Sequence, residues 1–222
     1  MYDPEWPELK ASDADWEGNV DDHAHTEWSE RLCGGMKQLQ DSMVQIYRNT
    51  ELLRVYSSTL VPGLLQTEGY AAAVLRTSAS FRELPVDDSL EAARARVERS
   101  RVIHERGHRF MILIEESVLY CQMAHTDAMD GQLGHLLSAG TLPTVSLGII
   151  PMATRERGHW PEETFSVYDD KFVSVELVSA EVNVTQPSEI DLYLKAFQRL
   201  RSMAVYGTEA QALILKAIEA LH

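Results

Sequence analysis

Apolar residues recur at steps of three and four from Trp28 through Leu32, Met36, Leu39, Met43 and Ile46 to Tyr47. That period predicts an amphipathic helix with one buried stripe. Thr26 is placed to cap it, and Glu27 and Glu30 stand in its first turn, where the helix dipole favours acids. The Gly34-Gly35 pair weakens the stripe, so a kink is expected there. Next comes RVYSSTLVPGLLQTEGYAAAVLR, residues 54–76. VYSSTLV is extended in character, Pro62-Gly63 breaks it, and Thr67 is placed to cap the helix EGYAAAVLR. Asp88 with Glu91 resembles a capping box for a third helix, from about Ser89 to His104.

The period then shortens. RFMILIEESVLY, residues 109–120, is β-branched and aromatic and predicts a strand. A short helix is expected over 126–139, with Met129, Leu133, Leu136 and Leu137 inward and Gly140 as its stop. TVSLGIIP predicts a second strand, and ETFSVY and KFVSVEL two more, joined as a hairpin at Asp169-Asp170. AEVNVT, residues 180–185, reads as a fifth. Two helices close the chain. Pro187 suits a first helical position, Gly207 is expected to stop that helix, and Thr208 to cap the last. The fold class is therefore α+β: a mostly antiparallel sheet of about four or five strands, flanked by N-terminal and C-terminal helices.

Charge changes this picture at one end. The net charge is −14, and residues 1–30 hold ten acids against one base, Lys10. Residues 1–25 have no clean period and read as an acidic N-terminal arm; residues 26–222 read as one domain. An acidic chain is repelled by phosphates, so direct nucleic-acid binding is not expected. No apolar run is long enough to span a membrane, and MYDPEWPEL lacks the features of a secretory signal. With two cysteines, Cys33 and Cys121, no disulfide framework is expected, and a cytoplasmic setting follows.

Several stretches suggest chemistry. HERGH, residues 104–108, matches the H-E-x-x-H of zinc peptidases. That site needs both histidines on one unbroken helix, whereas Gly107 is a natural helix end and a strand opens at Arg109; the zinc reading is rejected. His23 and His25 beside Asp21 and Asp22 could chelate a metal, yet a solvated arm is the plainer reading; no metal and no cofactor is expected. Cys33 and Cys121 have no base nearby in sequence and read as inert thiols. Six arginines, Arg94, Arg96, Arg99, Arg101, Arg106 and Arg109, alternate with acids. They read as a solvated helix face, with an anion site as the alternative. Two patches could line a pocket: Gln66, Tyr70 and Arg76 around PGLLQT, and Glu115, Glu116, His159 and Trp160 at a strand end and the loop after TVSLGIIP.

LVPGLLQTEGYAAAVLR, FMILIEESVLY, QLGHLL with LPTVSLGIIP, and the ETFSVYDD hairpin follow one another in an order that resembles a known family. It is the domain of unknown function that follows a Cro/C1-type (Xre-like) helix-turn-helix in actinobacterial transcriptional regulators. The resemblance runs from about Glu27 to the C-terminus, and PGLLQT-x-x-Y is its most specific part. It brings no agreed catalytic residues. Two departures stand out. The acidic arm takes the place of the basic reader, and MYDPEW reads as a natural start, so a stand-alone copy is expected. The loop RERGHW matches the family's Ala-His pair only at His159. The resemblance implies a non-enzymatic effector-binding domain taking a small molecule or peptide, with the Trp28–Tyr47 helix as lever. The expected protein partner is a related regulator, or a second copy in a homodimer. Two other readings stand beside it. One is an enzyme of secondary metabolism, with Glu115 or Glu116 as base and His159 as acid. The other is an antagonist whose acidic arm covers a regulator's basic reader.

Overall fold

The structure is a computed structural model that describes residues 25–222. His23 and all but the last residue of the acidic arm lie outside the described residues. The strands are β1 (Thr26–Glu27), β2 (Leu52–Ser57), β3 (Arg109–Glu115), β4 (Val145–Ile150), β5 (Phe165–Tyr168), β6 (Phe172–Glu176) and β7 (Ala180–Val184). The helices are α1 (Trp28–Arg31), α2 (Met36–Asn49), α3 (Glu68–Phe81), α4 (Ser89–Arg99), α5 (Thr126–Ala139), α6 (Pro187–Arg201) and α7 (Gly207–Glu219). Among the described residues the strands form one seven-stranded sheet in the order β1-β7-β6-β5-β2-β3-β4.

The α+β class holds, and the sheet has more strands than the sequence suggested. It is also mixed. β2, β3 and β4 pair in parallel, while β5, β6, β7 and β1 continue the sheet antiparallel from β2. A parallel pair needs a long crossover, and the chain supplies two. α3 and α4 lie between β2 and β3, and α5 lies between β3 and β4. Alternation then sorts each strand between two cores. Phe110, Ile112 and Ile114 of β3 join α5 and α7 on one face, while Met111 and Leu113 join Ile190, Phe197 and Leu200 of α6 on the other. No helix among the described residues is long and apolar enough to cross a membrane.

The expected Trp28–Tyr47 helix is two helices. Gly35 separates α1 from α2 with φ +90, a conformation that side chains rarely adopt. Thr26 does not cap it but is buried in β1. Asp88 makes no side-chain cap on its own helix. Its carboxylate instead accepts the orphan N–H groups of Met36 (3.2 Å) and Lys37 (2.8 Å) at the start of α2. A Cβ on Gly35 would stand 2.8 Å from that carboxylate, so glycine is needed there twice over. A cap reached across 52 positions of sequence ties the two helices into one layer.

Three smaller expectations resolve locally. Asp169 and Asp170 both take left-handed φ, 50 and 58, making the tight turn between β5 and β6. Asp169 also accepts the N–H of Glu51 (3.1 Å) and of Leu52 (2.6 Å), which pins the hairpin to β2. α6 ends at Arg201, so Gly207 opens α7 rather than stopping α6. HERGH is split between elements. A 3-10 turn ends at His104, Gly107 has φ +95, and the His108 Nδ1 lies 2.7 Å from the Thr50 carbonyl oxygen.

The cross-helix cap yields a direct test. Asp88→Ala is expected to cost about 1 kcal/mol, the usual worth of such a cap, and Asp88→Asn distinctly less. Urea unfolding of the three proteins measures both.

Candidate functional site

The candidate site follows from period-two alternation on β5, β6 and β7. Phe165, Val167, Val173 and Val175 point to the α6 side. The residues between them, Ser166, Tyr168, Ser174 and Glu176, with Glu181 on β7, point the other way. A polar sheet face of this kind normally meets water. Here α1 to α4 roof it over. Small residues let the roof close: Ala71, Ala72, Ala79, Ala92 and Ala93 are buried where α3 and α4 meet. One and two turns beyond Ala92 and Ala93, Arg96 and Arg99 descend from α4 towards the polar strands. Between roof and sheet lies a partly enclosed cavity of about 460 Å³.

Its charges are unevenly matched. Arg31 pairs with Glu181 at 2.6 Å, and Glu181 also accepts from the Ser174 hydroxyl at 2.9 Å. Arg96 donates to the amide oxygens of Gln40 (2.9 Å) and Gln66 (2.7 Å), two neutral acceptors that hold the guanidinium without cancelling its charge. Gln66 is fixed in turn by donating to the Val61 carbonyl at 2.7 Å. Burial, and then the nearby Arg99, lowers the Arg96 pKa to about 10, which leaves it charged at neutral pH. Arg99 sits over the Tyr47 ring, 5.0 Å from its centroid, and its Nε is buried without a hydrogen-bond partner. Arg82 lies over Trp28 at 5.0 Å and donates to the Val178 carbonyl.

Glu176 is the carboxylate shared by these last three arginines. It lines the cavity and is exposed to the solvent that enters there. Burial, together with the nearby Glu181, raises its pKa against the pull of Arg96, Arg99 and Arg82. Tyr47 and Tyr168 add aromatic wall, their rings near parallel with centroids 6.4 Å apart.

The residues singled out from sequence fall in several places. Gln66 lines the cavity as the brace of Arg96. Tyr70 is fully buried, its oxygen accepting the Val61 N–H at 3.4 Å, and burial pushes its pKa up to about 12. Arg76 is exposed on α3. Glu115 lies on the opposite sheet face, bound by Arg157 through two contacts of 2.5 and 3.2 Å and by the Tyr56 hydroxyl at 2.8 Å. Burial and the Glu115 carboxylate both raise the Tyr56 pKa. Glu116 is buried and accepts the Met152 N–H at 2.8 Å. His159 stacks on Trp160 at 5.3 Å and approaches Glu162 at 3.2 Å. Both rings edge an open groove of about 420 Å³ beside Tyr193 and Phe165. The sheet therefore separates Gln66 from Glu115, His159 and Trp160.

Of the six arginines, Arg94, Arg101 and Arg106 are exposed, as a solvated face requires, whereas Arg96 and Arg99 line the cavity. Reading the helix by its small residues would have found them, since Ala92, Arg96, Arg99 and Ile103 share one stripe. Tyr47, Glu176 and Glu181 were missed because nothing in their own strands or helix marks what covers them. Cys33 is exposed and Cys121 half-buried, and both are free thiols. Among the described residues no group of three or more His, Cys, Asp or Glu side chains is placed to hold a metal ion.

Two outcomes are expected from these contacts. Arg157→Ala leaves Glu115 buried without its ion-pair partner and should destabilise the fold by about 3 kcal/mol in urea unfolding. Glu176 binds its proton more tightly folded than unfolded, so the ionised form works against folding. That penalty is fully present above the folded-state pKa and fades as pH falls through it. Glu176→Gln should therefore melt higher than the parent at pH 7, with the two curves converging near about pH 4, the ordinary glutamate range. A lower melting temperature for the variant at pH 7 would show that the three arginines outweigh burial.

The comparisons with known proteins concern fold and family. No curated protein matches the sequence. Among solved structures the chain is similar to "NucT from Helicobacter pylori", with TM-score 0.42 and 11% identity over 78% of this chain and 92% of that one. It is also similar to TrmBL2, an archaeal chromatin protein, with TM-score 0.38 and 11% identity over 78% of this chain; it spans only 52% of that longer chain. The family model described as "Domain of unknown function (DUF5753)" matches residues 40–216, from the middle of α2 into α7. That stretch takes in the strands β2 to β7 and most of the cavity wall, and the protein belongs to the DUF5753 family.

Proposed function

We propose that the protein is a ligand-binding domain that takes a small molecule into the cavity between α1–α4 and the sheet, and signals its occupancy through α1 and α2. The observation that carries this reading is the chemistry of the cavity wall. Its volume of about 460 Å³ suits a small molecule, and apolar walls with a few placed polar groups are the usual make-up of such sites. A core of this size lined by several arginines and a carboxylate is costly to maintain without a ligand to match them. Trp28, Arg31, Met36, Gln40, Met43 and Tyr47 all face the cavity from α1 and α2. A ligand that fills the space thus touches the same stripe that defines these helices. Any preference of the ligand for one position of α1 and α2 shifts their equilibrium by that difference in affinity.

The resemblance to the domain behind Xre-type readers fits this arrangement, since there the same helix leads towards the DNA-binding part. The partners proposed to receive that signal are a second copy of the chain or a related regulator. The enzyme reading draws less support. Glu115 is occupied by Arg157 and Tyr56, and Glu116 by a backbone N–H.

A screen of small metabolites by thermal unfolding tests the proposal. A ligand present at about 100 times its Kd stabilises by about 2.7 kcal/mol, which is a rise of several degrees. Val74 lines the cavity, and Val74→Trp would put an indole into part of it. The rise should shrink in Val74→Trp while its circular dichroism stays that of the parent. A rise of unchanged size and unchanged ligand affinity in the variant would place the ligand elsewhere and contradict the reading.

A further inference from the structure

We infer that the ligand of this cavity carries a carboxylate or phosphate on a flat apolar body, and that Arg99 is the anchor for the anionic group. The inference rests on the proposal that the cavity binds a small molecule, and adds the chemical class. It begins from Arg99. A guanidinium offers five N–H donors in a fixed fork and accepts nothing, so a buried donor without a partner is a position waiting for an acceptor. The Arg99 Nε is such a donor, and the Tyr47 ring beneath the group holds its plane without using its N–H bonds. Arg96 differs. Gln40 and Gln66 hold its fork in place, and as neutral amides they leave its charge for something else to meet.

The protein itself falls short of meeting that charge. Glu181 is committed to Arg31 at 2.6 Å. Glu176 is then the carboxylate that acts on Arg82, Arg96 and Arg99 together. Three cations sharing one anion leave room for a ligand bearing one or two negative charges. A planar carboxylate or a phosphate matches an arginine fork in two-point contact. Beyond that anchor the wall is aromatic and apolar. Tyr47 and Tyr168 present rings near parallel at 6.4 Å, with Met43 and Val55 beside them. Such walls suit a flat body better than a branched or polar one.

A matched set of probes tests this on the intact chain: 2-naphthoate, 2-naphthyl phosphate, 2-naphthamide and 2-naphthylmethylamine, titrated by ligand-observed nuclear magnetic resonance. At least one of the two anions should bind the parent at least tenfold more tightly than the neutral amide and the amine. Whichever anion binds better names the source of the charge. Arg99→Met should weaken the anion at least tenfold and leave the amide unchanged. Arg99→Lys, which keeps the charge and loses the fork, should fall between. Arg94→Met, on the exposed face of the same helix, should bind like the parent.

The charge series on the parent protein needs no variant, so a failure of Arg99→Met to fold leaves the test intact. Equal binding of amide and anion, or loss of the anion in Arg94→Met as well as in Arg99→Met, would overturn the anchor. The cavity reading would survive in the first case, since a neutral probe would still occupy it. Absence of binding by both anions at millimolar concentration would overturn the ligand class, while the metabolite screen decides the cavity separately.

Discussion

Charged groups can leave water only when something replaces the water they lose. In this protein that constraint gathers at one place, where α4 lowers Arg96 and Arg99 onto the polar face of β5, β6 and β7. The neighbouring residues are arranged around it. Gln40 and Gln66 hold Arg96, the Tyr47 ring holds Arg99, and Glu181 is tied to Arg31. What the described residues leave unmatched is the net positive charge and two buried N–H groups, the Nε of Arg31 and of Arg99. A molecule that supplies acceptors and negative charge would complete the site, and the binding reading follows from that shortfall.

The fold explains how a polar cavity can sit inside an otherwise ordinary core. The parallel half of the sheet is apolar on both sides, with α5 and α7 on one face and α6 on the other. The antiparallel half keeps the one-sided alternation of a half-exposed sheet. Its polar face is then covered by a second helical layer rather than by water. That layer is held by a few specific devices: the alanine contacts of α3 with α4, the Asp88 carboxylate at the start of α2, and the left-handed Gly35 between α1 and α2. α1 and α2 are joined to the rest through such local links while also forming cavity wall, which suits elements meant to respond to what the cavity holds.

Much of this was legible in the sequence, and the limits have physical causes. Strong periods located α2, α3, α5, α6 and β3 to β7. The Asp169-Asp170 turn was legible because both residues tolerate left-handed backbone. The strand–helix–strand alternation from Leu52 to Ile150 already contained the parallel crossovers, although single strands do not reveal their direction. The capping role of Asp88 was misplaced because a carboxylate at a helix start serves whichever orphan N–H groups come near, and here those belong to α2. The candidate site was the least legible. Ser174, Glu176 and Glu181 carry the pattern of a water-facing strand edge, and only tertiary packing decides that helices cover them. Arg96 and Arg99 looked like members of a charged surface because Arg94 and Arg101 beside them are one. His159 and Trp160 did come together, on the opposite side of the sheet from Gln66.

The most direct measurement is a crystal structure of the chain with 2-naphthoate bound. On this account the carboxylate lies within about 3 Å of the Arg99 guanidinium, with the ring system along Tyr47 and Tyr168. A naphthoate seated instead beside Trp160 and Tyr193 beneath α6, with the upper cavity holding only water, would contradict it.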